Sequence, residues 1–210
     1  DKFKADANYA KMYNAHYANR AKFFEIIQAD FSQGGPQDNA RLWDSPKQDT
    51  FVGRPGDCRF QSDETPFDVT VRGADFLTVY STNGGNDRLI LHDSPHDDIF
   101  LAKARKIELL DRDTNGDVYK ITARKFEHVT ALADQGGQDI AKLHDSTLDN
   151  LWEAKYVDDQ TWSSMATQTK QLYTALAFEQ VKGYSVNGGT NRLQKDQTVD
   201  FLIEYGDWET

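Results

Sequence analysis

Residues Asn83–Phe100 read NGGNDRLILHDSPHDDIF. Two glycines, two histidines and the aspartates Asp87, Asp93, Asp97 and Asp98 surround the apolar run Leu89-Ile90-Leu91. Gathered at one point, such residues suit a divalent cation or a general acid and base with a helper. Calcium takes six to eight oxygen ligands, and a turn such as DSPHDD offers several. The candidate calcium ligands are Asp93, Asp97 and Asp98, with Asp44, Asp49 and Asp145 as their counterparts elsewhere in the chain. The competing reading is turn chemistry, in which Asp and Ser at a strand end accept backbone N–H groups. No cofactor other than calcium is expected.

The stretch has relatives. GGPQDNARLWDSPKQDTFVG starts at Gly34, GGNDRLILHDSPHDDIFLA at Gly84, GGQDIAKLHDSTLDNLWEA at Gly136 and the decayed GGTNRLQKDQTVDFLIE at Gly188. A Phe-led motif precedes each copy, at Phe24, Phe76, Phe126 and Phe178, with a small residue three positions earlier. An aromatic-x-small motif follows the acidic turn at Phe51, Phe100 and Trp152, and the chain opens with one at Phe3. Three anchors recurring in order at one period define a tandem repeat. The reading is a single domain over 1–210, with repeats at approximately 3–50, 51–99, 100–151 and 152–201 and a tail at 202–210.

Within each repeat the apolar residues alternate over five to eight positions bounded by Gly-Gly or Asp-Ser, the pattern of strands and turns. A repeat split at its Phe gives halves of about 25 residues, each one coil of three strands and three corners. The fold class expected is therefore all-β: a right-handed parallel β-helix, or β-solenoid, of four repeats with two coils each, its core roughly 35–40 Å long. The Ala-rich segments Asn8–Gln28 and Met165–Gln180 permit a helical reading. The equivalent CRFQSDETPFDVTVRG contains Pro66 and alternates as strand, and equivalent repeat positions fold alike. By alternation His92 and His144 face outward about 10 Å apart, too far for one zinc ion.

The order Phe-x-x-Val-x-Ala (Phe126–Ala131), Gly-Gly-Asn-Asp (Gly84–Asp87), Leu-x-Asp-Ser (Leu91–Ser94) and Asp-Asp-x-Phe-x-Ala (Asp97–Ala102) resembles the tandem repeats of large secreted or surface-attached bacterial β-helical proteins. The resemblance implies an extracellular or cell-surface location. Gly-Asn-Asp is also similar to the calcium nonapeptide of secreted toxins, but the nine-residue period is missing, so no calcium roll is carried over.

A formal net charge of −10 argues against nucleic acid, and no apolar run reaches membrane-spanning length. One cysteine, Cys58, permits no intrachain disulfide. The opening DKFKADANYA, without Met or signal segment, reads as a processed form or an excised fragment. Repetition supplies length and rigidity rather than one pocket, so the expected role is a structural or adhesive rod and not an enzyme. Self-association or contact with neighbouring repeats of the same polypeptide is the expected partnership, because the tail EYGDWET is short for a cap and open β edges recruit partners. Two alternatives stand beside it. One is a polysaccharide-active or sugar-binding β-helix, with Trp43, Trp162 and Tyr80 as sugar platforms and Asp93 with Arg88 or Arg105 as reacting groups. The other is a calcium-stiffened binding module.

Overall fold

The computed structural model describes residues 1–111, 119–167 and 171–210. The described residues form 21 strands in two sheets, one of eleven strands and one of ten. The chain is a β-solenoid in which stacked layers of the two sheets enclose a core including Leu42, Phe51, Leu91, Phe100, Leu143 and Trp152. Among the described residues no helix is long and apolar enough to cross a membrane. The Ala-rich segments are strands: β2 (Tyr9–Tyr13), β3 (Ala18–Lys22) and β4 (Ile26–Asp30) in one, β18 (Leu172–Leu176) in the other.

Each repeat contributes five strands. In the second, β6 (Asp49–Arg54), β7 (Asp57–Ser62) and β8 (Asp68–Arg72) form an antiparallel meander in the ten-stranded sheet. The chain then crosses to β9 (Phe76–Tyr80) in the eleven-stranded sheet and returns to β10 (Arg88–His92). The next meander, β11 (Asp98–Lys103), β12 (Lys106–Asp111) and β13 (Lys120–Arg124), lies in the eleven-stranded sheet. Five is odd, so successive repeats begin on opposite sheets. Strands from different meanders and crossings pair in parallel, as β9 does with β13 and with β5 (Asn39–Trp43). The coil of three strands and three corners is thus replaced by two sheets that combine parallel stacking with antiparallel meanders. Eleven strands at about 4.8 Å make a body roughly 50 Å long, longer than the simple coil count gave.

This alternation corrects the placement of the histidines. His92 ends β10 in one sheet, while His144 ends β15 (Ile140–His144) in the other, so the two point from opposite faces. The Phe anchor shifts as well. Phe23, Gly73, Lys125 and Ala177 each adopt a positive φ, at 59°, 71°, 67° and 64°, where the chain leaves a meander for the opposite sheet. Counting from these bends, Phe24, Phe126 and Phe178 are equivalent to Ala74, not to Phe76. The Glu that follows (Glu25, Glu127, Glu179) is equivalent to Asp75.

The two ends of the solenoid differ. At one end β3 and β4 are outermost, and Phe23 is 78%, Phe24 60% and Ile26 67% exposed. At the other, β20 (Asn191–Lys195) and β21 (Leu202–Gly206) are outermost. Here the tail does more than its length suggests. Glu209 forms a parallel bridge with Arg192, and the Trp208 ring lies 5.0 Å from that of Trp152.

Trp152, on β16 (Asn150–Val157), is the largest fully buried side chain, and its Nε1–H donates to Ser163 Oγ at 2.7 Å. It fits because Gly183, on β19 (Gln180–Ser185), has no side chain: a Cβ there would meet the indole at 2.2 Å. Gly183→Ala is therefore expected to destabilise the fold by about 1–3 kcal/mol through overpacking. Gly35→Ala, whose Cβ meets nothing within 4 Å, is expected to stay within about 0.5 kcal/mol of wild type in urea unfolding.

Candidate metal centre

The glycine pairs bring successive corners into contact. Gly85, Gly137 and Gly189 have φ of 104°, 111° and 78°, and a Cβ on them would lie 2.2, 2.1 and 2.4 Å from the carbonyls of Lys47, His96 and Leu148. Only glycine tolerates both the backbone angle and the approach. The corner two residues after each glycine pair, carrying Asp87, Asp139 or Asn191, is thereby pressed onto the Asp-Ser turn of the previous repeat.

Each Asp-Ser turn is built alike. Asp49 accepts from the Ser45 N–H at 2.8 Å and from the Ser45 hydroxyl, and Asp98 does the same for Ser94. Asp44 Oδ2 accepts the Asn83 N–H at 2.7 Å, and Asp93 accepts the N–H groups of Asp134 and Gln135. The Asp49 N–H donates to Asp87 Oδ1 at 2.8 Å, and the Asp98 N–H donates to Asp139 Oδ1 at 2.7 Å. A further set of carboxylates continues the series: Asp75, Glu127 and Glu179 accept the N–H groups of Asp38, Asp87 and Asp139. Turn capping is thus real at these corners.

Both oxygens of Asp49, Asp87 and Asp93 accept hydrogen bonds, whereas Asp44, Asp98 and Asp139 use only one of theirs. Asp44, Asp49 and Asp87 converge in one group, and Asp93, Asp98 and Asp139 in another, with one oxygen from each residue within 4.8 Å of the others. All six residues are at most 3% exposed. Asp44 Oδ1, Asp98 Oδ1 and Asp139 Oδ2 are buried without a hydrogen-bond partner. Burial raises the pKa of all six; Asp87 and Asp98 are pushed to about 6 and Asp139 to about 7. Repulsion from the other carboxylates adds to the burial effect, as Asp49 and Asp44 do for Asp87, and Asp93, Glu179 and Asp98 do for Asp139.

The third repeat solves the same packing problem differently. Asp145, Asn150 and Asn191 occupy the three positions. Asn150 Oδ1 accepts from the Ser146 hydroxyl, Asn150 Nδ2 donates to Asn191 Oδ1 at 2.7 Å, and Asn191 Nδ2 donates to Asp145 Oδ2 at 3.2 Å. Two amides replace two carboxylates and supply the missing donors. The other two layers have no such donors. Theirs is an all-oxygen set, which suits a hard cation such as calcium better than zinc. Oxygens bound to one calcium at about 2.4 Å lie no more than about 4.8 Å apart, which matches the observed convergence. Where no cation is bound, a shared proton is the alternative way to relieve the charge.

Of the candidates read from sequence, Asp44, Asp49, Asp93 and Asp98 enter these groups. Asp145 lies in the amide layer, and Asp97 turns away to accept the Gln138 N–H at 2.9 Å. Asp87 and Asp139 were missed, although the Gly-Gly-x-Asp spacing contains them; their partners lie 38 and 41 residues away. Residues 111–117 read DRDTNGD, the Asp-x-Asp-x-Asn-Gly order of a calcium-binding motif, but 112–118 lie outside the described residues. Trp43 and Tyr80 share one sheet face and stack on each other, 5.1 Å apart at 9°, whereas Trp162 lies on β17 (Gln160–Thr167) in the other sheet. No family model, curated protein or solved structure matches the chain.

The raised pKa values fix the sign of a pH effect. A carboxyl whose folded pKa exceeds its ordinary value binds its proton more tightly when folded. In chelator, stability is therefore expected to fall as pH rises from 5 to 8, through the range of about 6 to 7 for Asp87, Asp98 and Asp139. Asp98→Asn with Asp139→Asn, copying the third layer, is expected to flatten that fall in thermal melts at each pH and to raise the pH 8 melting temperature.

Proposed function

We propose that this chain is a calcium-stiffened rod element of a bacterial extracellular or surface assembly, of the kind its tandem repeats resemble. The observation that carries the reading is the pair of buried aspartate groups with unpartnered oxygens, stacked along one solenoid. Burying several carboxylates together without a counter-charge is strongly unfavourable, and a divalent cation reverses that cost. The bound ion then crosslinks segments about 40 residues apart in sequence, Asp93 and Asp98 to Asp139 for example, and stiffens the stack. Calcium-rich surroundings outside the cell fit such sites. Recurrence of the corner in successive repeats favours a structural role over catalysis, which ordinarily rests on one singular constellation.

The β3/β4 end supports end-to-end self-association. Exposed Ile26 lies on β4, and exposed Phe23 and Phe24 lie on the bend between the two outermost strands; open β edges with apolar neighbours recruit further strands.

Titration calorimetry with calcium tests the first part. Asp49→Asn with Asp87→Asn, and separately Asp98→Asn with Asp139→Asn, are each expected to remove one bound ion per chain; binding at residues 111–117 would be common to all variants and cancels. Calcium at a hundred times its dissociation constant is expected to stabilise the wild type by about 2.7 kcal/mol per site. Equal stoichiometry in all three proteins would remove the aspartate groups from the account. For the second part, sedimentation velocity at micromolar concentration is expected to show assemblies of wild type and monomers of Phe24→Glu with Ile26→Glu.

A further inference from the structure

The overall charge of −10 conceals a segregation of charge. On the outer face of the eleven-stranded sheet, β3, β2, β1 (Lys2–Asp6) and β5 lie side by side. Strand pairing aligns Arg20 with Lys11, Lys11 with Lys4, and Lys4 with Arg41. These four cations therefore form one row, about 4.8 Å from rung to rung. Lys2 and Lys22 flank the row, and Asp6 is the only acid that these four strands present on this face. None of the six cations forms a side-chain ion pair among the described residues.

Further along the same face stand Lys120, Arg124, Lys106, Lys103, Lys142 and Lys182. Among the described residues of these strands only Glu108 opposes them, bonded to Lys106 and Lys120. Twelve of the chain's 24 lysines and arginines thus share one flat surface with two acids. The opposite sheet is different: there Arg59 is paired with Asp68, and Arg72 with Asp57.

Like charges directly across a sheet are unfavourable, so four in register need a counter-charge from outside the chain. The row is one side chain wide, and acidic corners border the face. A slender polyanion can follow it; a nucleic-acid duplex would press its second strand against those corners. Aromatic rings lie in the same ribbon. Lys4 Nζ is 5.5 Å from the Tyr9 ring and Lys11 Nζ 4.4 Å from that of Tyr13. Beyond Asp6, Trp43 and Tyr80 stack in line, and His144, Tyr184 and Tyr205 stack in the same way at 4.3 and 4.7 Å. Their faces are occupied by one another, so their outward edges offer apolar contact while the cations supply attraction. At physiological ionic strength repulsion from the acidic corners is screened within about 8 Å, leaving the local face to decide.

We propose that this face binds a linear anionic polysaccharide laid along the solenoid axis, anchored on the Arg20–Lys11–Lys4–Arg41 row. This goes beyond the rod reading and does not depend on the aspartate groups.

The experiment measures binding of polygalacturonate, heparin, neutral dextran and a single-stranded oligonucleotide to the chain, in one buffer of fixed calcium content. Lys11→Glu with Arg41→Glu is compared with Arg54→Glu with Arg88→Glu on the opposite sheet, each shown to be folded by circular dichroism. Expected are binding of polygalacturonate, heparin or both, loss of that binding as sodium chloride rises, and weakening by about tenfold in the first variant but not in the second. The ratio of the two glycans separates carboxylate from sulfate recognition. No binding of either glycan, equal binding of dextran, equal loss in both variants, or tighter binding of the oligonucleotide would each overturn the proposal.

Discussion

The stack depends on one interaction: a corner carboxylate accepts the backbone N–H of a segment about 40 residues away, as Asp139 does for Asp98 and Asp44 for Asn83. Backbone groups buried at a corner need partners, and the turn's own side chains serve only some of them. A side-chain carboxylate is a strong acceptor there, and a glycine behind it admits the neighbouring corner. The same solution has an electrostatic consequence. Where two turns meet, three capping aspartates converge in a dry space, and the oxygens Asp44 Oδ1, Asp98 Oδ1 and Asp139 Oδ2 keep no hydrogen-bond partner. The cap creates a need to offset charge, which a cation or a shared proton would meet. The Asp145–Asn150–Asn191 layer supports this causality, because amides at two of the three positions preserve the caps and remove the need.

Much of this architecture was legible in the sequence because repetition exposes it. Period-two alternation marked the strands, and the recurring Gly-Gly and Asp-Ser pairs marked the corners. Equivalence between repeats overruled the helical appearance of Asn8–Gln28. The five-strand count was not legible, since a meander and a coil both read as strands separated by turns. That count decides which sheet each repeat faces, so His92 and His144 were placed on one side when they lie on two. The Phe76 anchor misled for a related reason. Its ring resembles Phe126 in the motif, but the conformational bend at Gly73 shows that Ala74 and Asp75 hold the Phe-Glu position. Asp75 caps Asp38 as Glu127 caps Asp87, with a shorter arm.

Net charge was the least informative number. Many acids lie at corners, where backbone N–H groups require them, and half of the bases lie on one sheet face, where the alternation leaves room for long side chains. A whole-chain sum cancels these two populations and hides the cationic face. His144 feels this field: burial, then Lys103 and Lys142, hold its pKa down to about 4. The solenoid thus presents its chemistry in separate places, with carboxylates turned inward at the corners and cations outward along a sheet.

The central claim is that the convergent aspartates hold calcium and not a shared proton. Crystals grown in calcium at pH 8, with anomalous scattering measured for the ion, test it most directly. The account predicts an anomalous peak within about 2.3–2.6 Å of Asp98 Oδ1 and Asp139 Oδ2, a second at Asp44, Asp49 and Asp87, and none between Asn150 and Asn191. Absence of both peaks, with the carboxyl groups of Asp98 and Asp139 drawn into a direct hydrogen bond, would contradict it.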